Sequence, residues 1–506
     1  MHASRAVTFG AAMLMFLPAA GWGQRPLQSD SVAVAIQRLG ARLDSLQSGV
    51  CPVEPIPAAP RVTGDANSDS LMAAMNRLTL RVESLRATRC LTARVPPAGA
   101  NPADTAQVRP DSLDPASGVL PTPSPTPQLP TASRSAGGAY MNLGFVALAD
   151  FGWSTEPDVG SLQLGDHDPQ VRGFTIPNAE LSLDGAVDPY FKGFSNIVYK
   201  IQPNGETGVE LEEVYFLTTS LPWNFQIKGG QFFTEFGRQN PQHPHSWAFV
   251  DQPLVLNRIF GPDGLRSQGA RVSWLAPTPW YLEAMVSVLN STGGTAFSFR
   301  SDESAAIHGG VPVEHAVRRL QDLMLVPRIA TSFDLTETQT LVLGASAALG
   351  PNSSGPDADT RIYGADLYWK WKSASADRGF PFVSFQTEVL ARRYEAAARV
   401  SAENATVTLP AETLSDRGFY SQLLWGIKPR VVVGIRGESS SGDAAAFDSQ
   451  LRADRYRLSP NLTWYPTEFS KLRLQYNYDH RQGIGSDDSV WMQFEFLLGA
   501  HAAHKF

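Results

Sequence analysis

The chain has 506 residues, of which 18% are charged and 10% are aromatic, and its formal net charge is -7 at pH 7. This acidic balance excludes the broad basic surface that nucleic-acid binding requires, so nucleic acid is not an expected partner. No run of 18 or more apolar residues follows the N-terminal region, so the sequence predicts no membrane-spanning helix.

Residues 1–23 are predicted to be a signal peptide. Arg5 supplies the positive charge, and the short apolar stretch AVTFGAAMLMFLPAAGWG ends in small residues, with cleavage expected near Gly23. A buried N-terminal strand is the alternative. Export would allow the two cysteines, Cys51 and Cys90, to form disulfides.

Residues 24–90 contain a duplicated, coiled-coil-like helical segment. SDSVAVAIQRLGARLDSLQSGVC (29–51) aligns without a gap with SDSLMAAMNRLTLRVESLRATRC (68–90), and each copy places apolar residues at heptad spacing after a Ser-Asp-Ser N-cap. Helices this short need a partner helix. They either fold back as a pair or form a parallel coil that joins protomers. The parallel coil predicts a homo-oligomer, expected to be a trimer, in which each cysteine meets its counterpart.

Residues 91–137 form a proline-rich linker, with PTPSPTPQLPTAS as its densest part and almost no large apolar side chains. An extended linker of this kind would hold the coil away from the rest of the chain. We therefore expect the coil to lie in the periplasm, where it has access to the cell wall.

Residues 138–506 are predicted to be an all-β transmembrane domain, an outer-membrane barrel of about sixteen antiparallel strands. In KLRLQYNYDH (471–480), apolar and aromatic residues alternate with polar ones, as they do in several other segments. Short connections such as SLPW and IKPR alternate with long ones at 152–171, 238–265, 289–319, 393–414 and 437–450. Trp223, Trp280, Trp464 and Tyr465 lie beside short connections, as an aromatic girdle would. A soluble sandwich is the alternative that alternation alone allows.

The stretch QNPQHPHSWAFVDQP (239–253) lies in a long connection of this barrel. The lumen of a sixteen-stranded barrel is too wide for its own side chains to fill, so we expect this loop to fold inward and narrow it. His243 and His245 are weak metal candidates, because only Asp251 is near them in sequence as a third ligand. No catalytic motif is present. The candidate constriction residues are Asn240, Gln242, His243, His245, Trp247, Asp251 and Gln252.

The segment IKGGQFFTEFGRQNPQHPHSWAFVDQPLV (227–255) resembles the phosphate-selective porin O/P family, at the point where a strand ending in Phe-Gly opens into the third loop. Together with ELEEVYF (210–216) and GARVSWLAPTPWYLE (269–283), it is more similar still to proteobacterial outer-membrane proteins often labelled zinc-regulated TonB-dependent receptors. The resemblance implies a porin barrel with an inward third loop and a preference for phosphate.

The polar faces of the predicted strands supply a set of basic lumen residues. Acidic residues assigned to the same faces are fewer, and an excess of positive charge in a narrow pore favours anions. Neutralisation of these basic groups by acids on neighbouring strands is the alternative, and a one-residue register slip reverses an assignment. The basic lumen candidates are Lys200, Lys228, Arg271, Arg328, Lys370, Arg392, Arg436, Arg455, Arg457 and Arg473.

These features predict a channel in the bacterial outer membrane for passive diffusion of small solutes, with a preference for anions. We expect no enzymatic activity and no cofactor. The expected partners are membrane lipid, small solutes and further copies of the chain, with the N-terminal region in the periplasm. Two alternatives stay open: a substrate-specific or zinc-linked uptake protein, and an envelope tether that the barrel anchors.

Overall fold

The computed structural model describes residues 139–186 and 188–499. The predicted signal peptide, helical repeat and linker, both cysteines and residues 500–506 lie outside the described residues.

Most of the described chain is β-structure, as the alternating sequence pattern predicts. The strands are β1 (Tyr140–Ser154), β2 (Gly173–Ala186), β3 (Phe191–Ile201), β4 (Thr207–Thr218), β5 (Phe225–Phe233), β6 (Arg266–Leu275), β7 (Tyr281–Asn290), β8 (Leu323–Thr336), β9 (Gln339–Pro351), β10 (Asp359–Asp377), β11 (Phe380–Ala396), β12 (Arg399–Val400), β13 (Thr408–Leu409), β14 (Glu412–Lys428), β15 (Val431–Gly442), β16 (Arg455–Thr467), β17 (Ser470–Arg481) and β18 (Gly485–Gly499). The helices are α1 (Leu254–Phe260) and α2 (Ala305–His308), with 3-10 turns at Val159–Ser161, Pro222–Asn224, Pro244–Ser246, Gly294–Ala296, Asp302–Ser304, Leu320–Asp322 and Gln450–Arg452.

Sixteen of the strands within residues 139–499 close into one antiparallel barrel. β1 pairs with β18 from Gly144↔Gly499 to Ser154↔Ser489, and β11 pairs with β14 across a long connection. The short strands β12 and β13 form their own hairpin inside that connection. Closure leaves no free sheet edge among the barrel strands, and the predicted sixteen-stranded antiparallel barrel is confirmed.

The two faces of the barrel wall differ in polarity. On β17, Leu474 and Tyr476 are exposed on the outer face, whereas Arg473, Gln475 and Asn477 are buried on the inner one. A soluble sandwich buries its apolar face instead, so the structure excludes that alternative. Among the described residues, no helix is both long and apolar enough to cross a lipid bilayer.

The strand connections are short at one end of the barrel and mostly long at the other. The short-turn end carries 187–190, 219–224, 276–280, 337–338, 378–379, 429–430 and 468–469. The other end carries the first to eighth loops, at 155–172, 202–206, 234–265, 291–322, 352–358, 397–411, 443–454 and 482–484. The short connections SLPW and IKPR, named from the sequence, both occur at the first end. Trp223, Trp280 and Trp464 are exposed there, but Tyr465 lines an interior cavity, so its placement in a girdle was wrong.

The barrel interior holds an apolar core that the sequence did not predict. All seven residues of α1, which belongs to the third loop, are buried. Val255, Ile259 and Phe260 of this helix pack with Phe299 of the fourth loop and with inward side chains of several wall strands. A Cβ atom at Gly418 of β14 would lie 2.8 Å from a methyl carbon of Val255, so the absence of a side chain there lets α1 approach the wall.

Candidate functional site

The third loop, residues 234–265, leaves and re-enters the wall at adjacent strands, and Asn240 holds its two ends together. The Asn240 amide donates to the carbonyl oxygens of Thr234 and Leu265, at 2.9 and 3.0 Å, and its Oδ1 accepts from the Leu265 N–H at 2.8 Å. Asn240 is buried. The structure therefore places this predicted constriction residue at the neck of the loop.

Beyond its neck, the loop contacts opposite sides of the barrel. The backbone N–H groups of Arg238 and Gln239 donate to Glu388 of β11, at 3.0 and 2.8 Å. Only four residues after Gln239, His243 contacts side chains of β2 and β4. The intervening strand β3 lies eight strands from β11 in a barrel of sixteen. The loop therefore crosses the barrel interior.

His243 lies between two carboxylates of β4. Its Nδ1 is 2.9 Å from Glu212 and its Nε2 is 2.9 Å from Glu213. An ionised carboxylate only accepts hydrogen bonds, so both ring nitrogens donate and the ring is an imidazolium. Burial lowers the pKa of His243, but Glu212 and Glu180 outweigh it and raise that pKa well above its ordinary value. His245, two residues on, is 3.0 Å from Glu180 through its Nδ1.

A β-bulge explains how two successive glutamates reach the same histidine. The pairing of β3 with β4 shifts register, so that Asn196 faces Glu213 and Ile197 faces Leu211, with Glu212 as the extra residue. Glu212 and Glu213 are consequently both buried, whereas strict alternation would turn one of them outward.

Replacing His243 with alanine is expected to loosen the third loop. The change leaves the buried carboxylates of Glu212 and Glu213 without their shared donor, at a cost of about 1–3 kcal/mol in the free energy of unfolding. We expect earlier thermal unfolding and an altered single-channel conductance, with His245→Ala acting in the same direction. His315→Ala, at an exposed histidine, is the control. Unchanged conductance in both single variants and in the double variant would contradict the prediction.

The next part of the loop binds β16 and β17 through its backbone. Asn461 of β16 donates to the Ala248 carbonyl at 2.8 Å. On β17, Arg473 donates to the Trp247 carbonyl at 2.7 Å, and Gln475 accepts from the Val250 N–H at 2.9 Å. The Trp247 indole N–H donates to the carbonyl of Gln242, which stiffens the bend between them. The Gln252 N–H donates at 2.9 Å to Asp168, so the third loop is also tied to the first.

Asp251 joins the loop to three wall strands. It is buried, and the positive charges of Arg436 and Arg457 hold the pKa of its carboxyl well below the usual value despite the opposing effect of burial. No other constriction candidate receives as many side-chain hydrogen bonds among the described residues. The donors to its carboxylate are Gln163 of the first loop, Arg436 of β15, Arg457 of β16, and Gln475 and Asn477 of β17.

The ten basic residues assigned to the lumen are buried or half-buried, but most have acidic partners. Strands also contribute inward acids that the sequence inventory missed, among them Glu180, Asp416, Glu438 and Asp479, so the apparent excess of positive charge largely disappears. The ion pairs join Lys200 to Asp166 and Glu210, Lys228 and Arg271 to Glu235, Arg328 to Asp366, Arg392 to Asp416, Arg436 to Asp251 and Glu438, and both Arg455 and Arg457 to Asp479.

Lys370 and Arg473 differ from the other eight, because neither has a carboxylate at ion-pair distance among the described residues. Lys370 instead places its ammonium 5.0 Å from the ring centre of Phe382. Arg473 donates to Gln493 and to the Trp247 carbonyl, both neutral acceptors. Their charges are therefore less neutralised than those of the paired residues.

These two residues line a cavity of about 480 Å³ between the third loop and the short-turn end of the barrel. Gln242, His245 and Trp247 of the loop also line it. Arg238 and Lys471 line it as well, so the cavity has four strongly basic side chains. Lys471 has Glu495 as a partner at 2.6 Å. No aspartate or glutamate is among the lining residues. The sequence inventory omitted Arg238 and Lys471, although both stand in polar stretches next to residues that it did select.

A buried group of serine and histidine side chains in the fourth and fifth loops does not form a nucleophilic site. His308 Nε2 lies 3.3 Å from the hydroxyls of both Ser304 and Ser353. Its Nδ1 accepts the N–H of Gly310 at 3.1 Å, so the neutral ring carries its proton on Nε2 and donates to the serines. Burial and the charge of Arg399 lower the pKa of His308 to about 4, which keeps the ring neutral. The group holds two loops together.

Several solved barrels are similar to this chain. The outer-membrane channel DcaP of Acinetobacter baumannii has 12% sequence identity and a TM-score of 0.46, covering 73% of this chain and 100% of that one. The anion-selective porin from Comamonas acidovorans has 8% identity and a TM-score of 0.46, covering 71% and 100% respectively. No protein-family model matches the sequence.

A sequence relative is much nearer. An uncharacterized protein of Aquifex aeolicus (strain VF5) is 33% identical in an alignment of 361 positions that covers 67% of this chain and 71% of the relative. An identity of this level over most of both proteins indicates common descent and a common fold. The chain belongs to the same family as this Aquifex aeolicus protein.

Proposed function

We propose that the protein is an outer-membrane channel for small anionic solutes. A closed barrel satisfies the backbone hydrogen bonds of its strands, as a lipid environment demands, and its outer face carries the exposed apolar side chains. The observation that carries the proposal is the cavity beneath the third loop, with four strongly basic side chains and no carboxylate in its lining. Positive charge at a narrow point attracts anions and repels cations.

In this proposal the third loop narrows the passage. The path of the loop supports this narrowing, because the loop contacts Glu388 on one side of the barrel and Glu212 on the other. Solutes would pass beside the segment from Gln242 to Trp247 and enter the basic cavity. Phosphate, which the sequence resemblance implies, fits the combination of charge and hydrogen-bond donors at Arg238, Lys370 and Arg473.

Planar-bilayer recording tests the proposal. We expect discrete conducting steps, and under a potassium chloride gradient a reversal potential that reports preference for chloride. Phosphate added to one side should reduce the chloride current by competing for the cavity. A wild-type channel that prefers potassium, or a folded barrel that does not conduct, would contradict the proposal.

We also propose that the N-terminal segment lies in the periplasm and joins protomers, as a trimer, with Cys51 and Cys90 forming covalent links and the coil free to reach the cell wall. Removing residues 24–137 is then expected to leave a folded, conducting barrel with weaker self-association, because β1 begins only at Tyr140. Heat-modifiable migration on gels checks folding, and light scattering in mild detergent checks mass. A full-length protein that is strictly monomeric with both thiols free would contradict this arrangement.

A further inference from the structure

Two loops bring a histidine and two aspartates together near the wall. Asp166 and His167 belong to the first loop and Asp263 to the third, and one ligand atom from each lies within 4.8 Å of the others. The Asp166 N–H donates to the Pro262 carbonyl at 3.1 Å, which fixes the two loops against each other at this point. His167 is buried, and the two aspartates are largely so.

The spacing of these groups is wide for hydrogen bonds and suits a shared cation. His167 Nε2 is 3.5 Å from Glu212 Oε1 and 3.8 Å from Asp263 Oδ1. Both distances exceed those of good nitrogen–oxygen hydrogen bonds. Bonds of about 2.0–2.1 Å in tetrahedral geometry place ligand atoms roughly 3.4 Å apart, so small side-chain movements would complete a site.

The surroundings orient the candidate ligands toward one another. His167 Nδ1 faces the Pro177 carbonyl at 3.4 Å, and this contact turns Nε2 toward Glu212 and Asp263, where a cation would take the place of its proton. The other oxygen of Glu212 is engaged by Asn196 at 2.7 Å, which leaves Oε1 facing His167. Asp263 Oδ1 is buried and accepts no hydrogen bond.

The charge balance around the group is negative. Asp166, Asp263 and Glu212 supply three carboxylates. Two cations stand beside them: Lys200, which is paired with Asp166 and lies 3.6 Å from Glu210, and His243, which is shared by Glu212 and Glu213. A divalent cation would neutralise the remaining charge, in competition with the Lys200 ammonium. Imidazole combined with carboxylates favours zinc-like transition metals over magnesium or calcium.

We propose that Asp166, His167, Asp263 and Glu212 bind a divalent transition-metal cation of the zinc type. The site differs from His243 and His245, the weak candidates of the sequence, which are paired with carboxylates in the structure. Because its ligands come from two loops and from β4, a bound metal links the first and third loops to the wall. The proposal stands independently of what the channel conducts.

Titration of the full chain, purified in detergent without a histidine tag and stripped with a chelator, tests the site. The probes are Zn²⁺ by calorimetry and Co²⁺ by its visible absorption. We expect His167→Gln and Asp263→Asn to weaken binding by at least about tenfold. Lys200→Gln should strengthen binding, because it removes the competing ammonium.

His315→Gln, at an exposed histidine beside Asp302, is the matched control and should bind as the wild type does. Heat-modifiable migration identifies any variant that fails to fold, and Lys200→Gln gives a second readout that does not depend on losing a ligand. A wild-type protein that binds neither metal, or binding that is the same in His167→Gln and Lys200→Gln as in the wild type, would overturn the proposal.

Discussion

Replacing Asp251 with alanine is expected to detach the central part of the third loop and to raise the single-channel conductance. The carboxylate accepts hydrogen bonds from Arg436 and Arg457, which are almost fully buried. Removing one partner of a buried ion pair leaves an uncompensated charge, at a cost of about 3–5 kcal/mol. Arg436 and Arg457 keep partial compensation from Glu438 and Asp479, so the barrel itself should persist.

The measurement combines thermal unfolding with bilayer recording. Asp251→Asn should lie between the wild type and Asp251→Ala, because an amide still accepts one or two of the hydrogen bonds but carries no charge. Asp302→Asn, at an exposed aspartate of the fourth loop, is the matched control and should leave both readouts unchanged. If Asp251→Ala unfolds and conducts as the wild type does, the loop is held by other contacts and the prediction fails.

Replacing Lys370 with glutamate is expected to shift the channel toward cations. The side chain lines the cavity and has no carboxylate partner at ion-pair distance in the described chain, so the change breaks no ion pair. Two units of charge at about 8 Å in a water-like dielectric change the energy of each passing ion by about 1 kcal/mol, in opposite directions for chloride and potassium, so their permeability ratio changes by about 2 kcal/mol, or roughly thirtyfold. The reversal potential under a salt gradient reports this ratio.

The control is Arg417→Glu, which makes the same change in charge at an exposed residue on the outer face of β14. Lys370→Gln should give about half the shift in free energy, because it removes one unit of charge instead of two. Arg455 and Arg457 suit this test less well, although the sequence placed them in the lumen, because both are paired with Asp479 and Arg457 also with Asp251. An unchanged permeability ratio in Lys370→Glu would show that the cavity does not lie on the ion path.

The barrel was predictable because its wall has two chemically different faces. The alternation of Leu474 and Tyr476 with Arg473 and Gln475 gives both the strand and its orientation from local sequence alone. The third loop was recognisable for a similar reason, since a long stretch rich in proline and histidine fits no strand. Local pattern therefore predicted the wall and the position of the loop.

What the loop binds was not predictable in the same way. The partners of His243 depend on the bulge that turns Glu212 and Glu213 inward together. An inserted residue leaves no periodic pattern in the sequence, so the bulge could not be predicted. The partners of Asp251 lie on β15 to β17, far along the chain. His167, a ligand of the proposed metal site, comes from the first loop, whereas Asp263 comes from the third. Contacts of this kind depend on strand register across the whole barrel.

The attachment of Asp251 also constrains the order in which the protein folds. Its partners Arg436, Arg457 and Asn477 stand 185 to 226 residues further along the chain, so the part of the loop around Asp251 cannot dock until β15 to β17 are in place. Contacts between such distant residues form late, since the chain between them must first be ordered. We therefore expect refolding to pass through a state in which the part of the loop around Asp251 is still unattached, and to show a slow final phase that Asp251→Ala lacks.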